Sequence, residues 1–163
     1  MTGPTGSDKT TLLYVMLRYL AEECQQKIIT LEDPIETPLD FESQVQIEAD
    51  KGLDFQDVIR VSLRHNPDVL LIGEVRDEVT AQMAVRAAMT GIMVLASLHT
   101  TDPAYAVARL LNFNIEPIDL STGIRMVIGA RIVLKLCQKW ENNQKDAFYT
   151  VEDRAPRVIP VGE

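Results

Sequence analysis

The apolar positions of this chain fall into short blocks divided by polar punctuation. Lys27-Ile-Ile-Thr-Leu31, Val69-Leu-Leu-Ile72 and Ile92-Met-Val-Leu-Ala96 are compact apolar runs, the pattern of buried strands. Gln44-Val-Gln-Ile47 alternates and is a candidate edge strand, and Ile132-Val-Leu-Lys-Leu136 is a candidate final strand. Between these runs the apolar spacing becomes helical. Residues 10–25 place Leu13, Met16, Leu17 and Leu20 on one face, with Leu12, Val15 and Tyr19 beside it, so the helix reads as largely buried against a sheet. Residues 54–65 turn Phe55, Val58, Ile59 and Leu63 inward and Arg60 and Arg64 elsewhere, until Asn66-Pro67 stops them. An Ala-rich helix over 79–89 ends at Thr90-Gly91, and Asp102-Pro103 announces another over 104–111. Residues 118–126 read as helical or mixed. Strands alternating with helices predict a parallel α/β sheet.

The polar residues between the blocks gather at strand ends. Glu32-Asp33-Pro34-Ile35-Glu36 follows the first run, Gly73-Glu74-Val75-Arg76-Asp77 the second, and Ser97-Leu98-His99-Thr100-Thr101-Asp102 the third. Open α/β sheets bind ligands at the carboxyl ends of their strands. Each cluster taken singly also has a plainer reading. The first is a solvated acidic turn that Pro34 and Pro38 keep from continuing as strand or helix. In the second, Glu74, Asp77 and Glu78 form a helix N-cap cluster. His99, one of two histidines, is a structural hydrogen-bonder.

The first ten residues change the picture. Gly3-Pro-Thr-Gly-Ser-Asp-Lys-Thr-Thr11 follows the phosphate-binding pattern G-x-x-x-x-G-K-[ST], with Gly3, Lys9 and Thr10 in register. In such a loop backbone N–H groups and a helix N-terminus surround the phosphates, the lysine reaches the outer ones, and the hydroxyl binds Mg²⁺. Pro4, Thr5, Gly6, Ser7 and Thr11 complete the candidate binding stretch. Asp8 stands where the pattern has its second glycine, and sets a negative charge where a triphosphate would sit. Only Met1 and Thr2 precede Gly3, so no strand is expected to lead into the loop. The plain alternative is a Gly/Pro/Ser-rich loop that caps the next helix through Ser7 or Asp8.

Composition narrows the classes further. With 163 residues, 46% hydrophobic and 25% charged, the chain has enough apolar material for one globular domain with a core. A net charge of −8 argues against a broad nucleic-acid or anionic-membrane footprint, while leaving room for a local basic groove in an oligomer. No run reads as a signal peptide or a membrane span. Cys24 and Cys137 lack metal-ligand spacing and read as reduced thiols in a cytoplasmic protein. From Gln138 the sequence turns polar, and the tail from Glu152, with Pro156 and Pro160, reads as extended or disordered.

Four stretches in order resemble the secretion ATPase superfamily that drives type II secretion, type IV pilus assembly and retraction, and competence pili. Residues 3–11 resemble its Walker A loop, Ile29-Thr-Leu-Glu-Asp-Pro-Ile-Glu36 its Asp box, Leu71-Ile-Gly-Glu-Val-Arg-Asp77 its Walker B, and Leu95-Ala-Ser-Leu-His-Thr-Thr-Asp102 its His box. Leu63-Arg-His-Asn-Pro-Asp68 adds to the match, which runs from residue 1 to about residue 137. The resemblance implies a RecA-like P-loop NTPase domain over 1–137, with helices on both faces of its sheet and lacking its first strand. Residues 138–163 would form a polar extension. It implies ATP and Mg²⁺ as ligands, Lys9 on the phosphates and Thr10 on the metal. Glu32 would assist water or metal positioning, Glu74 would activate water, and His99 would sense the terminal phosphate. Arg60, Arg64 and Arg76 would serve subunit contacts. The assembly implied is a cytoplasmic hexameric ring at the inner membrane, moving pilin or pseudopilin through a membrane platform protein, with no membrane insertion and no direct nucleic-acid contact. The alternative is a hydrolysis-deficient remnant or structural subunit of the same machinery. Asp8 departs from the family pattern, Ile92 stands where it has histidine, and His65-Asn66 replaces Gln-Asp.

Overall fold

The computed structural model describes residues 1–40 and 43–133. Four strands, β1 (Ile28–Glu32), β2 (Ser43–Gln46), β3 (Val69–Ile72) and β4 (Met93–Ala96), form one sheet in the order β2-β1-β3-β4. All neighbours run parallel, Ile29 pairing with Leu70, Leu70 with Val94, and Ile29 with Ser43 at the edge strand. The helices are α1 (Lys9–Glu22), α2 (Phe55–Arg64), α3 (Glu78–Met89), α4 (Pro103–Asn112) and α5 (Pro117–Gly123).

Both faces of the sheet are covered, which is why β1 and β3 are apolar at almost every position. Ile28, Val69 and Leu71 turn toward Leu13 and Leu17 of α1. Ile29, Leu31, Leu70 and Ile72 turn the other way, against Val58 and Ile59 of α2 and Ala81, Ala84 and Val85 of α3. α1 packs against the sheet as expected, though not around much of its circumference. Its inward stripe is buried, but Val15 and Tyr19 are 61% and 62% exposed on its outer face.

Met1 and Thr2 lie against the segment that follows β4, outside the four strands. Thr2 bridges Leu98 and Gly129 in parallel fashion, Leu98 N donates to Met1 O, and Thr2 N donates to Ile128 O, each at 2.8 Å. As expected, no strand leads into the loop: Thr2 makes only isolated bridges outside the four strands. Thr2, bridged on both sides, seats the start of the loop between Leu98 and Gly129.

Three helices are capped by the aspartate before them. Asp54 accepts from Asp57 N at 2.9 Å, Asp77 from Thr80 N at 2.8 Å and Asp102 from Ala104 N at 2.8 Å. α2 ends as expected, with Asn66 at φ 48° just beyond it. The expected final strand begins at Ile132 and Val133, which are not in a strand, and continues outside the described residues. Cys137 and the expected polar extension over 138–163 also lie outside them.

Candidate functional site

The loop, α1 and the ends of β1, β3 and β4 enclose one cleft of about 260 Å³. Residues 5–11 line one side, and Glu32, Glu74 and His99 come from three neighbouring strand ends. Parallel strands make this convergence automatic, since their carboxyl ends share one edge of the sheet.

Gly3 sits at φ 151°, and a Cβ there would lie 2.6 Å from Ser7 Oγ and collide with Ala130 O. Gly6 also has positive φ, at 74°. The next positive φ belongs to Asp8, at φ 60° and ψ 34°, a left-handed conformation that glycine adopts without strain. Asp8 occupies the N-cap position of α1, yet its side chain makes no capping hydrogen bond, unlike Asp54, Asp77 and Asp102. Those three are extended and aim their carboxylates at the helix. The left-handed turn at Asp8 serves the loop instead, so the capping alternative falls for this residue.

Lys9 Nζ donates to Gly3 O at 2.9 Å and Pro4 O at 3.0 Å. Burial lowers its pKa from the usual lysine range, against the upward pull of Glu74. Thr10 Oγ1 donates to Glu36 Oε1 at 3.3 Å. Ser7 is buried, and its Oγ has no hydrogen-bond partner among the described residues. A buried orphan hydroxyl costs roughly 1–3 kcal/mol, a penalty that an acceptor in the cleft would remove.

Glu32 is only 3% exposed. Its carboxylate accepts from Thr30 Oγ1 at 2.6 Å, from Gln44 Nε2 at 3.1 Å and from the Tyr14 hydroxyl. Burial, then the bond to Glu32, raises the Tyr14 pKa and keeps the phenol a donor. Three donors fix the position and orientation of the Glu32 carboxylate.

Glu74 is placed differently. Its Oε1 lies 2.7 Å from His99 Nε2, and its Oε2 accepts from Arg76 Nε at 2.8 Å. Arg76 also donates to Asp33 Oδ2 at 2.8 Å, joining the ends of β1 and β3. Arg76 is half exposed, so these pairs contribute little stability, about 0–1 kcal/mol each, and act mainly on position.

The sequence matches the family described as "Type II/IV secretion system protein" over residues 1–159. The chain belongs to this family. It is 43% identical over 147 residues to the competence protein ComGA of Bacillus subtilis, an alignment covering 90% of this chain and 41% of ComGA. It is 42% identical over 137 residues to the type IV pilus assembly ATPase PilB of Pseudomonas aeruginosa, covering 84% of this chain and 24% of PilB. The Legionella pneumophila ATPase DotB shares its fold with a TM-score of 0.68 at 36% identity, over 83% of this chain and 39% of DotB. The pilus retraction motor PilT, solved with bound ADP, gives 0.68 at 35% identity, over 83% of this chain and 41% of PilT. The chain thus spans less than half the length of these relatives.

In this family member all the site residues expected from sequence line the one cleft except Gly3 and Pro4, which brace Lys9 from behind. Asp77 is a cap, as its plainer reading had it, whereas Glu74 is not. Tyr14, Thr30 and Gln44 were not singled out. Tyr14 follows Thr10 by one helical turn, a spacing that puts both on the cleft side of α1. Arg76, expected at a subunit contact, joins Glu74 and Asp33 within this chain. Arg60 pairs with Asp57 on the surface of α2.

The glycine before Glu74 has a steric reason. A Cβ on Gly73 would stand 3.2 Å from Leu31 O and 3.4 Å from Glu32 Cα, both backbone atoms of β1. Gly73→Ala is expected to lower stability by about 1–3 kcal/mol, because strand backbone yields poorly to overpacking. Urea unfolding of the two proteins reads it, and equal midpoints would show that β1 gives way.

Proposed function

We propose that this domain binds ATP with Mg²⁺ and serves as the ATP-hydrolysing part of a secretion, pilus-assembly or competence motor. The observation that carries this reading is the cleft itself, where a phosphate loop and three polar strand ends meet. Lys9 would exchange its two carbonyl acceptors for phosphate oxygens, and Ser7 Oγ would gain a partner. The Thr10 hydroxyl, beside Glu36 at the cleft, would offer Mg²⁺ the hard oxygen it prefers, with the phosphates supplying others. When bound, the metal would supply charge neutralisation for the phosphates.

Hydrolysis needs a water aimed at the terminal phosphate and a base to take its proton. Glu74 is suited to be that base. It is partly exposed, faces the cleft, and needs to release only His99 or Arg76 to free an oxygen. Glu32, held in place by three donors, would orient water or metal. His99 would meet the terminal phosphate. The cargo would be pilin or a pilin-like subunit, in keeping with relatives named for type IV pilus assembly and pilus retraction. The working form would be a hexameric ring at the cytoplasmic face of the membrane, docked on a platform protein. No helix among the described residues is long and apolar enough to cross a membrane.

A second reading, a subunit that no longer hydrolyses, is favoured by Asp8 alone. Titration with MgADP and MgATP, alongside phosphate release, tests both. Saturable binding that Lys9→Ala weakens at least about tenfold is expected, since hydrogen bonds to charged groups are worth roughly 1.5–3 kcal/mol. If neither the wild type nor Asp8→Gly binds nucleotide, the proposal fails. Binding without phosphate release would favour the second reading.

A further inference from the structure

His99 has little packing of its own. Its side chain is 46% exposed, and its ion-pair contact is Glu74 Oε1 at 2.7 Å. What fixes it is the backbone on either side. Before it, the Ser97 hydroxyl donates to Gly73 O, and Ser97 O accepts from Val75 N at 3.0 Å, so the end of β3 holds this side. After it, Thr2 Oγ1 donates to Thr100 O at 2.6 Å, and the Thr100 hydroxyl meets the same Thr2 oxygen. Leu98 N donates to Met1 O at 2.8 Å. The segment immediately ahead of Gly3 therefore grips both neighbours of His99.

Thr2 is fully buried, and its backbone is clamped from the other side by Ile128 O and Ala130 N at 2.8 Å each. Valine would fill the same space without a hydroxyl to satisfy. The hydroxyl instead closes a bond to residue 100, next to the histidine that shares the cleft with the phosphate loop. A shift of the loop on binding phosphate would carry Thr2, and Thr2 would carry the backbone of His99.

We propose that Thr2 is a positioning residue for His99: its hydroxyl couples the segment leading into the phosphate loop to the backbone that carries the histidine. Loop and histidine then meet the terminal phosphate of a nucleoside triphosphate as one body. The inference rests on the nucleotide reading of the cleft and deepens it.

The test is the imidazole signals of the chain's two histidines by NMR, with His65 at the end of α2 as the internal reference. Without nucleotide, Thr2→Val shifts or broadens the His99 signals and leaves those of His65 unchanged, while Thr2→Ser reproduces the wild type. Thr100→Val removes one of the two bonds and leaves Thr2 in place. It moves the same signals, and carries the test if Thr2→Val does not fold. In an Asp8→Gly background, Thr2→Val keeps MgADP affinity within about twofold and lowers kcat for MgATP about tenfold or more, since small misplacements at a reacting centre cost up to about 10²-fold. Unchanged His99 signals in folded Thr2→Val and Thr100→Val proteins overturn the coupling. Moved signals, in a protein that binds neither MgADP nor MgATP, support the coupling and overturn the nucleotide reading instead.

Discussion

Asp8→Gly is expected to tighten MgATP binding by about 10- to 100-fold and to raise turnover with it. Two effects act together at this position. A carboxylate some 4 Å from a phosphate charge is repelled by about 1 kcal/mol in water and about 4 at an effective dielectric near 20. The backbone is already left-handed, at φ 60° and ψ 34°, so glycine needs no rearrangement and lets a phosphate approach the loop N–H groups. Folding stability is expected to change little, because relief of the left-handed strain offsets the greater chain entropy of glycine. Asp8→Asn separates the two effects. Asparagine tolerates the same backbone but carries no charge, so full recovery with Asn assigns the defect to electrostatics. Recovery with Gly alone assigns it to backbone approach. Calorimetric titration with MgATP across the three proteins reads this directly, and equal affinities would sink the expectation.

Glu74→Gln is expected to lower kcat by about 10²- to 10⁴-fold with nucleotide affinity nearly unchanged. The amide keeps an oxygen for His99 or Arg76, so the shape of the strand end is retained while the proton acceptor is lost. The matching change at Glu32 should behave differently. An amide there would set an N–H against one of the Thr30, Gln44 and Tyr14 donors, which would disturb the fold as well as the site. Single-turnover phosphate release in an Asp8→Gly background, with parallel binding measurements, checks the first expectation. Undiminished release by Glu74→Gln would move the base elsewhere.

The sheet was legible because it is buried on both faces. Runs such as Val69–Ile72 leave no alternation to confuse strand with helix, and the polar residue after each run falls where parallel strands end. That is also why Glu32, Glu74 and His99 were legible as one site before any distance was known. Other features depend on geometry that residue types do not carry. An aspartate before a helix reads as a cap, and at Asp54, Asp77 and Asp102 it is one. At Asp8 the backbone is left-handed and the same residue type does another job. Tyr14 and Val15 are adjacent, and the apolar spacing places Val15 beside the inward face and gives Tyr14 no place. Only the position of β1 shows that Tyr14 reaches Glu32 while Val15 is exposed. Arg76 was given a subunit contact by the family resemblance alone, and the adjacency of the β1 and β3 ends shows its pairs with Glu74 and Asp33. Thr2 was passed over because its bridges to Leu98 and Gly129, not sequence, give it its neighbours.

The bonds from Lys9 to Gly3 O and Pro4 O mean that the loop acts as its own first guest. A phosphate arriving here does not find a bare cation; it has to outbid two carbonyls already in place. Affinity is therefore a swap of acceptors, smaller than any count of phosphate contacts would suggest. The same swap runs backward on release, returning the lysine to partners that never left.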